Sequence, residues 1–156
     1  MGCGKNNDTG SCVADILKDI VDAQNDIVEN CCDTSCDQSI NDLLGENDTS
    51  NGLDTVPVIL YCKDCKPFKG FGAVREHRSK IGDILSSFIF RVKKVDKDNC
   101  AVLELLLSDG ESCGYDHLKD PTEQSTHDLE ATGICITVDL DCFCHVTCLP
   151  AINAFR

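Results

Sequence analysis

Ile134-Cys135-Ile136-Thr137-Val138-Asp139-Leu140-Asp141-Cys142-Phe143-Cys144-His145-Val146-Thr147-Cys148-Leu149-Pro150 is the stretch from which the fold is read. Ile134, Ile136, Val138 and Leu140 recur at period two, which puts them on one face of a strand. Cys135, Thr137, Asp139 and Asp141 fall on the other face. The strand-like composition runs on through Cys142, Phe143, Cys144, Val146 and Cys148 to Leu149-Pro150, where proline removes a ladder donor. Cys142, Cys144 and Cys148 share one parity, so an uninterrupted strand presents three thiols on one face.

Sulfur is abundant throughout. The chain has 156 residues and 13 cysteines, about 8% of the total, near the level of disulfide scaffolds. Yet a chain of this length buries roughly 70% of its unfolded surface and does not need sulfur for lack of core. Met1–Ser11 is polar, with neither an apolar run nor a basic start, so no secretory signal is expected. No apolar run approaches the ~20 residues that span a bilayer. The expectation is a protein made in a reducing compartment with the cysteine content of an extracellular one. An odd count leaves one thiol unpaired in a monomer or paired between chains. The net charge of −13 argues against nucleic acid or an anionic membrane as partner.

Upstream, Ser11 reads as an N-cap. Val13, Ile16, Leu17, Ile20, Val21, Ile27 and Val28 follow at helical spacing, with Asp15, Asp19, Asp22 and Asp26 on the wet side. The pattern predicts an amphipathic helix of about 18 residues, docked on its own domain or on a neighbour. Cys31-Cys32 and Cys36 precede a polar stretch, 37–55, expected to be linker with at most a short helical turn. Val56–Tyr61 is a strand and Cys62–Pro67 a turn. The clearest hairpin runs through Phe88, Phe90, Val92 and Val95 to an Asp96-Lys97-Asp98-Asn99 tip and back along Cys100–Leu107. Residues 115–132 read as loop. The fold class is α+β: an N-terminal helix and Cys-rich arm over 1–54, then a sandwich-like antiparallel β domain over 55–156.

Charge is segregated. Residues 1–54 carry two Lys against twelve Asp/Glu, a balance of −10; residues 55–95 carry nine Lys/Arg against three, +6; residues 96–156 carry three against twelve, −9. Either this is an uneven solvated surface, or Lys63, Lys66, Lys69, Arg75, Arg78 and Lys80 meet Asp15, Asp19, Asp22 and Asp26 of another copy.

Chemistry-bearing motifs are weak. Cys62-x-x-Cys65 follows a strand, but redox chemistry needs a helix N-terminus to activate the thiol, and Lys66-Pro67-Phe68-Lys69-Gly70 is a poor helix. A structural zinc drawing on Cys62, Cys65, Cys142, Cys144, His145 and Cys148 is the alternative, though C-x-C-H-x-x-C lacks a paired C-x-x-C spacing. Lys69–Val74 has only the start of an RNA-binding strand motif. No nucleophile or phosphate-loop motif is present, so no enzyme and no cofactor are expected.

Cys12-Val13-Ala14-Asp15-Ile16-Leu17, Val56–Tyr61, Phe68–Gly72, Phe90-Arg91-Val92, Cys100–Leu106 and Cys135–Leu140 through Cys148-Leu149-Pro150 together resemble the spore coat Y/Z proteins of Bacillus. The likeness covers nearly the whole chain and is greatest to the members that build the exosporium basal layer. It implies a structural protein without an active site, made in the mother cell. Such a protein self-assembles, as hexameric rings tiling a hexagonal lattice with other coat or exosporium proteins on the spore surface, and is cross-linked by disulfides. On this reading the exposed N-terminal Cys3, Cys12, Cys31, Cys32 and Cys36 bridge between chains. Cys62, Cys65, Cys100, Cys113, Cys135, Cys142, Cys144 and Cys148 pair, or lie as core thiols, within the protomer.

Overall fold

The computed structural model describes residues 12–25, 32–45, 52–108 and 118–155. Two compact units divide between Cys32 and Asp33, not at 54/55. The first contributes helix α1, Cys12–Asn25. It falls within the helix expected from its periodicity; Ser11, Asp26, Ile27 and Val28 lie outside the described residues.

The second unit opens with a helix, α2 (Cys36–Leu44), where linker was expected. Its start is Ser35, whose hydroxyl accepts the Gln38 N–H at 3.0 Å. Ser35-x-x-Gln38 is the spacing of a capping box. Its end is Gly45 at φ 72°, a left-handed cap whose N–H reaches the Asn41 and Asp42 carbonyls.

Seven strands follow: β1 Val58–Cys62, β2 Gly70–Arg75, β3 Ile81–Ser87, β4 Phe90–Val95, β5 Cys100–Ser108, β6 Leu129–Asp139 and β7 Phe143–Cys148. Every pairing is antiparallel, so the α+β reading stands. Five strands form a sheet in the order β6-β5-β4-β1-β7, and β2-β3 form a separate hairpin. The β4–β5 hairpin turns at the predicted tip, with Asn99 at φ 66°.

The opening stretch is not one strand. A 3₁₀ turn, Leu140–Cys142, splits it. β6 then lies at one edge of the sheet and β7 at the other. In a flat sheet those edges are ~19 Å apart, whereas three residues of 3₁₀ helix advance ~6 Å. The sheet must therefore roll. The turn touches both sides of the gap: Leu140 N–H donates to the Asn99 carbonyl at 2.8 Å, and Lys63 N–H to the Cys142 carbonyl at 3.2 Å.

Rolling gives the sheet two cores. Val58, Leu60, Phe90, Leu103, Leu105 and Ile134 fill one; Ile59, Phe88, Ile89, Leu106 and Leu129 fill the other. Leu105 and Leu106 are adjacent on β5 and so serve opposite cores. The chain kinks between β3 and β4 and sends Phe88 and Phe90 to different cores. Buried Gln124 holds that kink: its side-chain oxygen accepts the Phe88 N–H at 2.9 Å, and its amide donates to Ser87 Oγ at 2.8 Å. The β2–β3 hairpin lies against the first core because Gly70 and Gly72 have no side chain. A Cβ at Gly72 would come within 2.2 Å of Ile134, and one at Gly70 within 2.7 Å of Phe90.

Candidate functional site: the sulfur of the β1–β7 edge

β7 is tied down by sulfur. Cys36, at the start of α2, forms a disulfide with Cys148, at the end of β7. The same helix adds Ser39, whose buried hydroxyl donates to the Leu149 carbonyl at 2.7 Å. Cys36 was expected to bridge between chains; the α2 fold instead brings it to Cys148 inside the protomer. Cys12, placed in the same group, is also disulfide-bonded within the chain. Cys3, Cys31 and Cys113 lie outside the described residues.

Seven described cysteines are free: Cys32, Cys62, Cys65, Cys100, Cys135, Cys142 and Cys144. Of the strand cysteines expected to pair or lie in the core, Cys148 does pair within the protomer, and Cys62 and Cys100 are half-buried thiols. Cys65, Cys135, Cys142 and Cys144 are all exposed. The reason at Cys135 is period two: Ile134 and Ile136 point inward, so Cys135 points out.

Free thiols gather where β1 leaves the sheet. β1 runs into a turn in which the Cys65 N–H donates to the Cys62 carbonyl at 2.9 Å. β7 pairs back along β1 from Phe143↔Cys62 to Cys148↔Val58, with a register shift beside Tyr61 and Cys62. Cys144 is the residue left over by that shift. The bulge breaks the shared parity of Cys142, Cys144 and Cys148, so they do not form a single sulfur face. It also brings Cys144 Sγ to 3.7 Å from Nδ1 of His145 and 3.1 Å from the Cys62 carbonyl. In an unbroken strand, adjacent residues face opposite ways, so sequence spacing argues against that Cys–His pair. The His145 ring stacks on Tyr61 at 3.8 Å between centroids. Burial raises the Cys62 thiol above its usual pKa, and Asp64, Cys142 and Cys144 add to the rise. Cys62 therefore stays protonated where an ordinary thiol begins to ionise.

The zinc alternative loses Cys148 to its disulfide. Among the described residues, no three of the remaining sulfur, imidazole and carboxylate groups are arranged to hold a metal ion. No helix follows Cys62-x-x-Cys65, which leaves that pair without the dipole a redox motif uses.

The basic residues divide. Lys63, Lys66, Arg75, Arg78 and Lys80 are exposed. Lys69 is engaged internally: its ammonium donates to the Leu118 carbonyl at 2.8 Å and lies over the Phe71 and Phe88 rings. Asp15, Asp19 and Asp22 are exposed on α1. So are the apolar Val13, Ile16, Leu17, Ile20 and Val21, each at least 45% accessible. The outer face of β2–β3 exposes Phe71, Ile81 and Ile84. No helix of the described residues is long and apolar enough to cross a membrane.

Sequence reasoning missed Ser39, Gln124 and the Cys144–His145 contact. Only the first had a signal, the Ser35-x-x-Gln38 spacing that starts α2.

The family model described as spore coat protein Z matches residues 1–151. Spore coat protein Z of Bacillus subtilis (strain 168) is 36% identical over 148 residues, covering 90% of each chain. No solved structure matches. The family match over nearly the whole chain and the 36% identity place the chain in the spore coat protein Z family.

Proposed function

We propose that this chain is a structural subunit of the spore surface that assembles with copies of itself, and with other coat proteins, into a two-dimensional layer locked by disulfides. The layer is the exosporium basal layer or outer coat, tiled from closed rings of subunits. It has no catalytic role. The observation that carries the reading is the set of exposed free thiols, Cys65, Cys135, Cys142 and Cys144, on a unit whose own core is already closed. Exposed thiols reach other chains; buried ones do not.

Two further surfaces support it. The α1 stripe and the outer β2–β3 face each carry exposed apolar side chains among the described residues. One is flanked by Asp15, Asp19 and Asp22, the other by Arg75, Arg78 and Lys80. Opposite charge around matched apolar patches fixes the register of a protomer contact. Among the described residues, none of these cations is ion-paired within the chain. A sheet needs at least two kinds of contact: one closes a ring, and another joins the rings.

The test is electrophoresis with and without reductant, run beside sedimentation and a zinc assay on the same preparation. A cross-linked layer gives a fast-sedimenting species and a ladder that collapses on reduction. A monomer carrying stoichiometric zinc would replace this reading with that of a metal-binding module.

A further inference from the structure

The free cysteines are not equivalent. Cys65 and Cys135 are exposed, but among the described residues no imidazole contacts either of them. Cys144 is exposed and has Nδ1 of His145 at 3.7 Å. That ring is held by its stack on Tyr61, with planes 17° apart. The bulge makes the arrangement, because it turns the Cys144 side chain along the strand toward its neighbour instead of across the sheet.

We propose that Cys144 is a thiol–disulfide exchange site, that His145 takes up its proton, and that its substrate class is a low-molecular-weight disulfide. The thiolate is the nucleophile in such exchange. The Cys144 S–H swings from the Cys62 carbonyl, to which it donates at 3.1 Å, to His145 Nδ1 and leaves its proton there, and its sulfur attacks one sulfur of the disulfide. The S–S bond of the substrate breaks, and a Cys144 mixed disulfide forms. The departing thiolate takes the proton from His145. The substrate is reduced by the same two electrons that Cys144 contributes to the new bond. Cys62, beside Cys144 and kept protonated by burial, does not compete for the first attack.

In an assembled layer a thiolate of a neighbouring copy then attacks the Cys144 sulfur. That step releases the second small thiol and leaves an interchain bridge. This second use rests on the assembly reading above; the first does not.

The test treats dilute, full-length, unassembled protein, its Cys36–Cys148 bond formed, with oxidised glutathione. Peptide mapping by mass spectrometry follows each cysteine in time. Cys144 is expected to acquire glutathione roughly fivefold faster than Cys65 and Cys135, since exchange rate follows thiolate availability once access is equal. His145→Phe keeps an aromatic ring on Tyr61 and removes the proton acceptor. In that variant Cys144 should fall to within about twofold of Cys65, whose own rate should not move. Equal rates at Cys144, Cys65 and Cys135 in the unmutated protein overturn the proposal, and so does an unchanged Cys144 rate in His145→Phe. The ranking in the unmutated protein needs no variant to fold. Failure to sediment as a layer while the ranking holds overturns the assembly reading alone.

Discussion

β6 and β7 are consecutive strands of one apparently continuous stretch, and they are held in place by different physics. β6 is zipped to β5 along its length, from Ser108↔Leu129 to Cys100↔Asp139. Its inward residues join the core that Leu103 and Leu105 complete, and it is in no disulfide. β7 is short, pairs with β1 alone, and exposes Cys144, His145 and Val146. It is pinned at its far end by Cys36–Cys148 and the Ser39 hydrogen bond. An edge that buries little apolar surface gains little from packing, so covalent and polar ties carry it. In this protein the Cys36–Cys148 disulfide secures an edge, while the fully buried residues of both cores carry no sulfur.

The comparison breaks most visibly if the core is not what holds β6. Leu105 is fully buried, and Leu→Ala at such a site costs about 2–5 kcal/mol, transfer and cavity together. Leu105→Ala should lower the free energy of unfolding from denaturant titration by that amount, in oxidised and reduced protein alike. A loss below about 1 kcal/mol would mean the β5–β6 ladder stands without its core.

Next comes the pin on β7. The bond between Cys36 and Cys148 spans 112 residues of sequence, and closing a long loop is worth about 2–4 kcal/mol through the unfolded state. Cys36→Ser and Cys148→Ser should each lose that much, and the double variant no more, since both remove the same bond. Hydrogen exchange should quicken in β7 and α2 but not in β5 and β6. Equal quickening in both edges would erase the distinction.

The smallest effect concerns the chain just after β7, where Thr55 bridges Ile152. Burial alone would raise the pKa of Asp54. The Ala154 N–H, the Thr55 hydroxyl, the Phe155 N–H and the Arg91 charge outweigh burial and hold the carboxyl below its usual value. A lowered folded pKa stabilises fully above the unfolded value of ~4, and the gain disappears as pH falls through the folded value. Asp54→Asn should therefore flatten the fall in Tm between neutral pH and about pH 2.5. An unchanged slope would remove Asp54 from the set of ties.

By itself the sequence determined the antiparallel β class, the β4–β5 hairpin and its Asp/Asn tip, the inward face of β6, and the amphipathic face of α1. These are local: period two, period 3.6 and turn chemistry act within a few residues. The family, too, was legible in its quoted motifs. Tertiary structure alone decided where the sulfur went. The pairing of Cys36 with Cys148 needs α2 and β7 to meet from opposite ends of the unit, and no spacing rule encodes a meeting between residues so far apart. The exposure of Cys135 was half legible, because its parity pointed outward while its apolar neighbours suggested burial. The break at Leu140–Cys142 was hidden because apolar and polar residues alternate through it as they would in a strand. Only the rolling of the sheet makes the chain turn there. The Cys144–His145 contact depends on a one-residue bulge, and a bulge is set by the register of β1 against β7, a relation between two strands that neither strand's sequence contains.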